Sequence, residues 1–575
     1  MEFLGVLVLV VSFIILLSLG VPIAFSIGIS GILTMLVSID SLPAFTTFAH
    51  RMATGLDSFA LLAIPFFILA GNIMNHGGIA IKLIDFARVI VGRLPGGLAF
   101  VNVLANMLFG AISGSAAASA SAIGTIMGPE MEKEGYDKSY STAINVTSAT
   151  TGLSIPPSNI LIVYSLASGG ASIAALFMAG YIPGILTGLS LMLVGAIFAI
   201  RRKYAVSKEN TVADVFLTLI HLFITVLMAY VFIDSNLHWS YLVIFYTWIR
   251  ALSAAVYKKA GKIKWELPLV GFTSLVIAVI NLNTLPAFLI PLVIMTVIPL
   301  FMNRVKIWHL IAQAFLVLIA INLYDEMHWI TSGFLFLEIV ILFTLRLEKA
   351  EEIYDNFKGT KKYFAAIPSL LLLVVVIGGI IAGIFTATEA SAVAVLYALI
   401  LAFTYRELNF KTVPVVLINA VRTTSIVLLL VAASIGLSWI MSFENIPQNV
   451  SEALLALSDN KFVILLIINL ILLFVGIFMD MTPAVLIFTP IFLPIVTNLG
   501  LDPVHFGIIM VLNLSVGLCT PPVGSVLFIG CSVSNISIDR VVKPLIPLFI
   551  AMITVLMLVT YWPALSLWLP GLLGF

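Results

Sequence analysis

The sequence predicts an all-α, polytopic membrane protein built from two inverted repeats, each containing a re-entrant helical hairpin and a broken helix. Three observations predict this fold. The 575 residues are 61% hydrophobic and only 10% charged, whereas soluble domains carry about 25% charged residues. Apolar runs long enough to cross a lipid bilayer recur from one end of the chain to the other. The motif that interrupts one of these runs occurs a second time near the end of the chain.

Composition also limits the classes of function. The formal net charge of +1 gives no reason to expect nucleic acid as a partner. The two cysteines, Cys519 and Cys531, both lie in the last fifth of an apolar chain, so neither a disulfide framework nor a cysteine-based metal site is expected. The first apolar segment follows Met1-Glu2 directly and lacks the basic region of a signal peptide, so we expect it to be retained as a helix.

The interrupting motif establishes an internal duplication. It reads TSATTGLSIPPSNI from Thr147 to Ile160, and its second copy reads LSVGLCTPPVGSV from Leu514 to Val526. Identical residues stand 365 positions apart in a long series: Gly71 and Gly436, Pro129 and Pro494, Gly135 and Gly500, Asp137 and Asp502, Gly152 and Gly517, Leu153 and Leu518, Pro156 and Pro521, Pro157 and Pro522, and Ser172-Ile173 and Ser537-Ile538. We therefore take residues 1–205 as the first repeat and 358–575 as the second.

The elements of each repeat follow from the spacing of the apolar residues. Lys82, Asp85 and Arg88 recur every three positions among apolar residues, a pattern typical of a helix lying on the membrane surface. Two apolar segments meet at Ser113 to Ser115 and are too short to cross about 30 Å comfortably, which predicts a re-entrant hairpin. In the first repeat the predicted elements are helices at 3–20, 22–38 and 58–75, a hairpin at 98–112 and 116–130, a broken helix at 138–168 and a last helix at 174–200. In the second repeat they include a surface helix at 447–460 and a hairpin at 463–476 and 484–498 with its tip at Met479 to Pro483.

Basic residues predict the orientation of the chain. If the first repeat crosses five times, its basic loop residues share one side, which the positive-inside rule makes the cytoplasm. These residues are Lys82, Arg88, Arg93, Lys133, Lys138 and Arg201 to Lys203. The amino terminus is then periplasmic, the odd number of crossings inverts the second repeat, and the carboxyl terminus is periplasmic as well. Residues 206–357 contain about six further apolar segments, which we expect to form an inserted bundle of short transmembrane helices.

Broken helices have a specific use in a membrane. Unwound backbone is tolerated at membrane depth where it lines a cavity, and its carbonyl groups can replace the hydration shell of a cation. The start of a half-helix carries partial positive charge and attracts carboxylates. We expect the break at Thr150 to Ser158 to face Ser113 to Ser115, and the break at Gly517 to Pro522 to face Asp480 to Thr482. This arrangement predicts two pseudosymmetric cation sites with an anionic substrate between them, as in secondary transporters.

The sequence also resembles a known family. FGAISGSAAASASAIGTIMGPEM, ATTGLSIPPS, GIFTATEASAVAV, GIFMDMTPAVLIFTPIFLPI and GLCTPPVGSVLF resemble the large membrane subunit of TRAP (tripartite ATP-independent periplasmic) transporters. The resemblance covers 1–205 and 358–575, because the usual large subunit lacks the segment at 206–357. It implies an elevator-type symporter of the bacterial inner membrane that couples an organic acid to sodium ions. A periplasmic binding protein and a small membrane subunit are the implied partners, and the inserted segment could replace the small subunit.

The resemblance also implies roles for individual residues. Sodium ions, the coupling ions, would be bound at two sites. The first comprises Ser113, Ser115, Thr151 and Gly152, and the second comprises Asp480, Thr482, Gly517 and Thr520. Substrate would contact Ser113, Gly114, Thr150, Pro157, Asn159, Asp480, Met481 and Pro522. Simpler explanations exist: the serines can serve close helix packing, and Asp480 can be solvated if its tip reaches the outer surface.

Three alternative functions would require different features of the chain. A stand-alone sodium/dicarboxylate symporter of the same superfamily would share the fold and need no binding protein. An intramembrane enzyme would need clustered acid, base or metal-binding residues within the apolar segments, and the sequence has only isolated ones. A channel would need a continuous pore, which closed hairpins and broken helices argue against.

Overall fold

The computed structural model describes residues 2–94, 96–202, 204, 358–458, 460–521 and 524–575. The segment at 206–357 and its expected helices lie outside these residues. The chain divides into two compact units, one combining Met1–Lys208 with Ser369–Phe575 and the other formed by Glu209–Pro368. All regular elements of the described residues are helices, and seven helices among them are long and apolar enough to cross a membrane. The all-α membrane fold is confirmed.

The first repeat contains ten helices within the described residues. They are α1 (Glu2–Ser18), α2 (Ile23–Ser38), α3 (Ser41–Leu56), α4 (Ala63–His76), α5 (Ile79–Val91), α6 (Gly97–Ser113), α7 (Ala116–Lys133), α8 (Lys138–Ala149), α9 (Asn159–Ala167) and α10 (Ile173–Arg202). Two 3₁₀ turns, Phe59–Leu62 and Thr150–Leu153, precede α4 and follow α8.

The second repeat has nearly the same helices. They are α11 (Lys358–Ile381), α12 (Ala387–Thr404), α13 (Val413–Phe443), α14 (Ile446–Leu457), α15 (Lys461–Phe478), α16 (Met481–Asn498), α17 (Pro503–Gly517), α18 (Ser525–Ser534), α19 (Ile538–Tyr561) and α20 (Ala564–Leu572). Helix α7 and helix α16 stand 365 positions apart at both ends, and so do the starts of α8 and α17.

The Gly-x-Asp sequence that recurs in both repeats adopts the same local structure in each. Gly135 and Gly500 both have left-handed backbone, with φ of +82° and +76°, which glycine adopts without steric cost. Two residues later, Asp137 and Asp502 cap α8 and α17, each accepting hydrogen bonds from two backbone amides. The hydrogen bond from the Ser139 hydroxyl, together with those amides, holds the pKa of Asp137 below its usual range. The repeated Gly-x-Asp is therefore a turn followed by a helix cap.

The two repeats exchange contacts reciprocally. Helix α4 packs on α12 of the other repeat, and α2, the equivalent of α12, packs on α13, whose second half is the equivalent of α4. Helix α9 packs on α16, and their equivalents in the other repeat, α18 and α7, also pack together. Likewise, α8 packs on α19, and their equivalents α17 and α10 pack together. Such exchange is what a pseudo-twofold relation between repeats produces.

The structure corrects the predicted elements in three places. Helix α3, from Ser41 to Leu56, is absent from the predicted elements, because its threonines, His50 and Arg51 make its amphipathic pattern weak; its Phe48 is 2% exposed. The hairpin helices are longer than predicted, with 17 and 18 residues in the first hairpin and 18 in each helix of the second. Both helices of the second hairpin are long enough to cross a membrane, so length does not establish that they re-enter. Finally, α13 is one continuous helix of 31 residues where the first repeat has α3 and α4.

Candidate functional site

The first hairpin tip lies against the first break. Helix α6 ends at Ser113, and Gly114 then turns the chain with a left-handed φ of +61°. A Cβ atom at Gly114 would stand 3.0 Å from the Nδ2 atom of Asn159, the first residue of α9. The Oδ1 atom of Asn159 is buried and has no hydrogen-bond partner within the described residues. The hairpin tip therefore lies beside the break, as expected, and the Asn159 Oδ1 atom next to the tip is the acceptor without a partner within the described residues.

Backbone packs directly on backbone beneath this tip. Gly152 lies in the 3₁₀ turn after α8, and a Cβ atom there would collide with Gly110 of α6, whose carbonyl carbon would be 2.5 Å away. Gly71 of α4 makes a similar approach to the tip, since its Cβ atom would stand 2.8 Å from the carbonyl oxygen of Ser113. Glycine at these positions allows close helix approach within a membrane protein.

The second tip and the second break also come together. Asp480 is the exposed residue that precedes α16, and its carboxylate accepts no capping hydrogen bond from that helix. The Ser525 hydroxyl, at the start of α18, lies 3.5 Å from the Asp480 Oδ1 atom. A Cβ atom at Gly517 would stand 2.6 Å from the carbonyl carbon of Gly476 on α15, which repeats the glycine contact of the first hairpin. The two sites thus share their geometry, but only the second tip carries a formal charge.

The remaining predicted residues are distributed around these contacts. The Ser115 side chain caps α7 by accepting a hydrogen bond from the Ala118 amide at 3.3 Å. The hydroxyl groups of Thr150 and Thr151 donate to the carbonyl oxygens of Thr147 and Ser148, at 2.8 and 2.6 Å. The following predicted residues have these positions: Pro157 is buried in the first break, Met481 and Thr482 begin α16, Thr520 follows α17, and Pro522 lies outside the described residues. Exposure of Asp480 agrees with a solvated tip and also with a site open to solute, so its role stays a prediction.

A buried polar network that the sequence analysis missed supports the first site. It joins α6, α7 and α8 through Asn102, Asn106, Ser119, Asn145 and Ser148, each at most 3% exposed. The Nδ2 atom of Asn106 lies 2.8 Å from Asn102 Oδ1, 2.9 Å from Ser148 Oγ and 3.1 Å from Asn145 Oδ1. The Ser119 hydroxyl donates to Asn106 Oδ1 at 2.7 Å. The network fixes the hairpin to the helix that carries the break, because buried polar groups need their partners.

The second hairpin has a smaller counterpart. Asn513 of α17 stands 365 positions after Ser148 and donates to Asn469 Oδ1 on α15 at 2.7 Å. Asn469 in turn donates to the Thr560 hydroxyl on α19 at 3.2 Å. The Oδ1 atom of Asn513 is buried and has no partner among the described residues. The sequence signal for both networks was an asparagine inside an apolar helix, where a polar side chain needs a buried partner.

The arrangement suits the binding of small ions and polar solutes. At each site a broken helix, a glycine contact and a hairpin tip bring backbone carbonyls and hydroxyls to one place, which is the environment that coordinates monovalent cations in broken-helix transporters. The ends of α8 and α17 supply partial negative charge, and the starts of α9 and α18 supply partial positive charge. In the described part of the chain, no group of three or more histidine, cysteine, aspartate or glutamate residues could hold a metal ion.

Comparison with known proteins identifies relatives over nearly the whole chain. Residues 10–565 match the family described as tripartite ATP-independent periplasmic transporter, DctM component. The chain is 45% identical to the uncharacterized protein YgiK of Salmonella typhimurium over 99% of this chain and 97% of that protein. It is 30% identical to the C4-dicarboxylate TRAP transporter large permease protein DctM of Rhodobacter capsulatus, over 96% of both chains.

A solved structure shares the fold. The Alcanivorax borkumensis YdaH transporter superposes with a TM-score of 0.50 over 92% of this chain and 90% of that one, at 12% sequence identity. At this identity the match speaks only for the fold. The matching family and the DctM relative are named as transporter components, whereas YgiK is uncharacterized. These names favour a transporter over the enzyme and channel alternatives.

Proposed function

Because the chain belongs to the DctM family, the large membrane component of TRAP transporters, we propose that it drives organic-acid uptake with a sodium gradient. As a member of this family it is a multi-pass protein of the bacterial inner membrane and works with a periplasmic binding protein. The proposed substrate is a carboxylate or a sugar acid, delivered by that binding protein and symported with sodium ions. Relatives named for C4-dicarboxylates and for sialic acid, at 30% and 28% identity, support this substrate class.

One observation carries the proposal. Each break packs on its hairpin through a glycine, Gly152 in the first and Gly517 in the second, and these two glycines stand 365 positions apart. Only the second tip presents a carboxylate. In the proposed sites, sodium contacts Ser113, Ser115, Thr151 and Gly152 at the first and Asp480, Thr482, Gly517 and Thr520 at the second. Substrate contacts Ser113, Gly114, Thr150, Pro157, Asn159, Asp480, Met481 and Pro522. The free Oδ1 atom of Asn159 is an acceptor that a hydroxyl group of a substrate would satisfy.

We propose an elevator movement of the hairpins and broken helices against the other helices. The polar network joins α6, α7 and α8, which supports their movement as one body. A small residue lies at the boundary between these helices and α4, since Gly71 of α4 approaches the Ser113 carbonyl closely. A small membrane subunit, or the segment at 206–357 in its place, would hold the fixed part, and both termini would be periplasmic.

Uptake into proteoliposomes tests the proposal. The full chain is reconstituted, and a sodium gradient, a proton gradient and a candidate periplasmic binding protein are added separately. We expect uptake only with external sodium and the binding protein, with a steep dependence on sodium because two sites are filled. Full uptake driven by a proton gradient without sodium would reject the coupling, and sodium-driven uptake without any binding protein would favour the stand-alone symporter.

A further inference from the structure

The loop between α12 and α13 presents an aromatic ring flanked by two cations. Phe410 is 87% exposed, more than any other large apolar side chain of the described residues. The centroid of its ring lies 5.4 Å from that of Phe403 on α12. Arg406 and Lys411, on either side of Phe410 in the chain, are exposed as well. Basic and aromatic residues together at the ends of membrane helices are typical of segments that contact the membrane surface.

Hydrogen bonds and an unusual backbone conformation shape this loop. The Asn409 Oδ1 atom accepts hydrogen bonds from the backbone amides of Lys411 and Thr412, at 3.0 and 3.1 Å. The Thr412 hydroxyl in turn donates to the Asn409 carbonyl at 2.9 Å. Arg406 has a left-handed backbone, with φ of +60°, which glycine adopts without steric cost and residues with a side chain adopt rarely. An arginine at such a position indicates a use for its side chain.

A third cation reaches the loop from the first repeat. The Nζ atom of Lys82 on α5 lies 5.7 Å from the centroid of the Tyr405 ring. Glu407, an acidic residue of the loop, packs against the turn before α5, since a Cβ atom at Gly78 would stand 2.8 Å from the Glu407 Cγ atom. None of the three cations forms an ion pair within the described residues. Three positive charges from both repeats thus meet at one end of the membrane helices without an acidic partner in that part of the chain.

The equivalent stretch of the first repeat, at the start of α3, has the ring without the cations. Phe45 stands 365 positions before Phe410 and is 51% exposed. Ser41 and Thr46 stand at the places of the two cations of the loop. The fold therefore keeps an exposed phenylalanine at both positions and does not require the positive charges. The charges match the environment on their own side of the membrane, which is the cytoplasmic side in the proposed orientation.

The combination of ring and cations selects the ligand. Arginine and lysine bind phosphate groups through charge-assisted hydrogen bonds. A soluble anion would leave the Phe410 ring in water, whereas a lipid covers the ring as well as the charges. Apolar surface continues from the loop along α13, where Val415 and Ile418 are 54% and 66% exposed, so acyl chains can lie beside the phosphate. We propose that the three cations and the Phe410 ring bind the headgroup of an anionic phospholipid in the cytoplasmic leaflet.

The position of the loop gives this lipid a role in transport. Helix α12 packs on α4, and α13 packs on α2, α3 and α4. These helices belong to the part that the proposed elevator movement leaves fixed, so the bound lipid holds that part at a constant depth in the membrane. The lipid site itself follows from the loop and does not depend on sodium coupling.

The experiment measures lipid binding by the full chain in detergent, without substrate. The midpoint of thermal unfolding is followed against added phosphatidylglycerol, phosphatidylcholine with the same acyl chains, or inorganic phosphate. The variants Arg406→Gln and Lys411→Gln remove one charge each, and Phe410→Ser removes the ring. The matched controls are Arg51→Gln and Phe45→Ser on α3. Arg51 is also exposed and also lies 5.7 Å from an aromatic ring, that of Trp439.

We expect phosphatidylglycerol to stabilise the wild-type protein at lower concentration than phosphatidylcholine. Each charge variant of the loop should need about fivefold more phosphatidylglycerol for the same shift, the effect of one basic residue at an anionic membrane surface. Phe410→Ser should weaken the stabilisation by both lipids, because the ring contacts the apolar part of either. The two control variants should keep the wild-type preference for phosphatidylglycerol. All variants should unfold at the wild-type midpoint before lipid is added, because the substituted side chains are exposed.

Three results would overturn the assignment. Equal stabilisation of the wild-type protein by the two lipids would show that the cations do not select an anionic headgroup. Loop variants that titrate with phosphatidylglycerol like the wild type would place any lipid effect elsewhere on the surface. Stabilisation by inorganic phosphate alone, lost in Arg406→Gln and Lys411→Gln but kept in Phe410→Ser, would make the loop a site for a small soluble anion. None of these results would bear on sodium-driven uptake, so the proposed function and this inference fail separately.

Discussion

The two hairpin sites share one geometry and differ in chemistry. In the first, the residue before the second hairpin helix is Ser115, whose side chain caps that helix. In the second, the equivalent residue is Asp480, 365 positions later, whose carboxylate makes no capping bond and is exposed. Gly71 touches the first tip, whereas its equivalent Gly436 faces Phe48 of α3. Duplication has preserved the backbone frame, while the charge and the packing around each tip have diverged, so the two sites should not be interchangeable.

The largest expected effect is at the charged tip. Asp480→Asn keeps the shape of the side chain but removes its charge, and hard cations prefer charged oxygen ligands. We expect uptake at fixed sodium to fall at least about tenfold, since a charged contact of this kind is worth that much or more. Uptake and the thermal unfolding midpoint are measured together, and Asp57→Asn, which follows α3, serves as a control. Sodium dependence equal to the wild type would make Asp480 a solvated surface residue.

The sequence was sufficient for the features that depend on local chemistry. The first break was predictable because Gly152 and the adjacent Pro156 and Pro157 together disfavour a continuous helix, and helices α5 and α14 were predictable because their periodicity is local. The pairing of tips with breaks followed from the duplication. The approach of Thr150, Thr187 and Ser515 to one another was not predictable, because these residues meet only through tertiary packing. The asparagine network was missed for the same reason, since Asn106 and Asn145 stand on different helices.

The second prediction compares the two polar networks. Asn106→Leu leaves Asn102, Asn145, Ser119 and Ser148 without their common partner, and each unsatisfied buried group costs about 1–3 kcal/mol. Asn513→Leu should cost less, because Asn513 pairs with Asn469 alone and its Oδ1 atom already lacks a partner among the described residues. Thermal unfolding in detergent should therefore show the larger loss for Asn106→Leu. Equal losses would mean that the two hairpins are held with the same strength.

The third prediction concerns what the two sites share. Alanine at Gly152 would collide with Gly110, and alanine at Gly517 would stand 2.6 Å from Gly476, so both substitutions must move backbone. Overpacking of this kind costs about 1–3 kcal/mol, and we expect similar losses of stability at both positions. Gly128→Ala is the control, since Gly128 lies within α7 and a Cβ atom there meets no atom within 4 Å.

Alanine at the partner glycines, Gly110 and Gly476, allows the four losses of stability to be ranked. A Cβ atom at Gly110 would stand 2.8 Å from Gly152, and one at Gly476 would stand 3.1 Å from Gly517. Gly476→Ala should therefore be the mildest of the four, because its neighbour needs to give way by only a few tenths of an ångström. The unfolding midpoints of all four variants are measured in sodium-free buffer, so that ion binding does not contribute. If Gly517→Ala proved as harmless as Gly128→Ala, the second break would not pack on its hairpin as the first does. The close glycine contact between break and hairpin would then be limited to the first repeat.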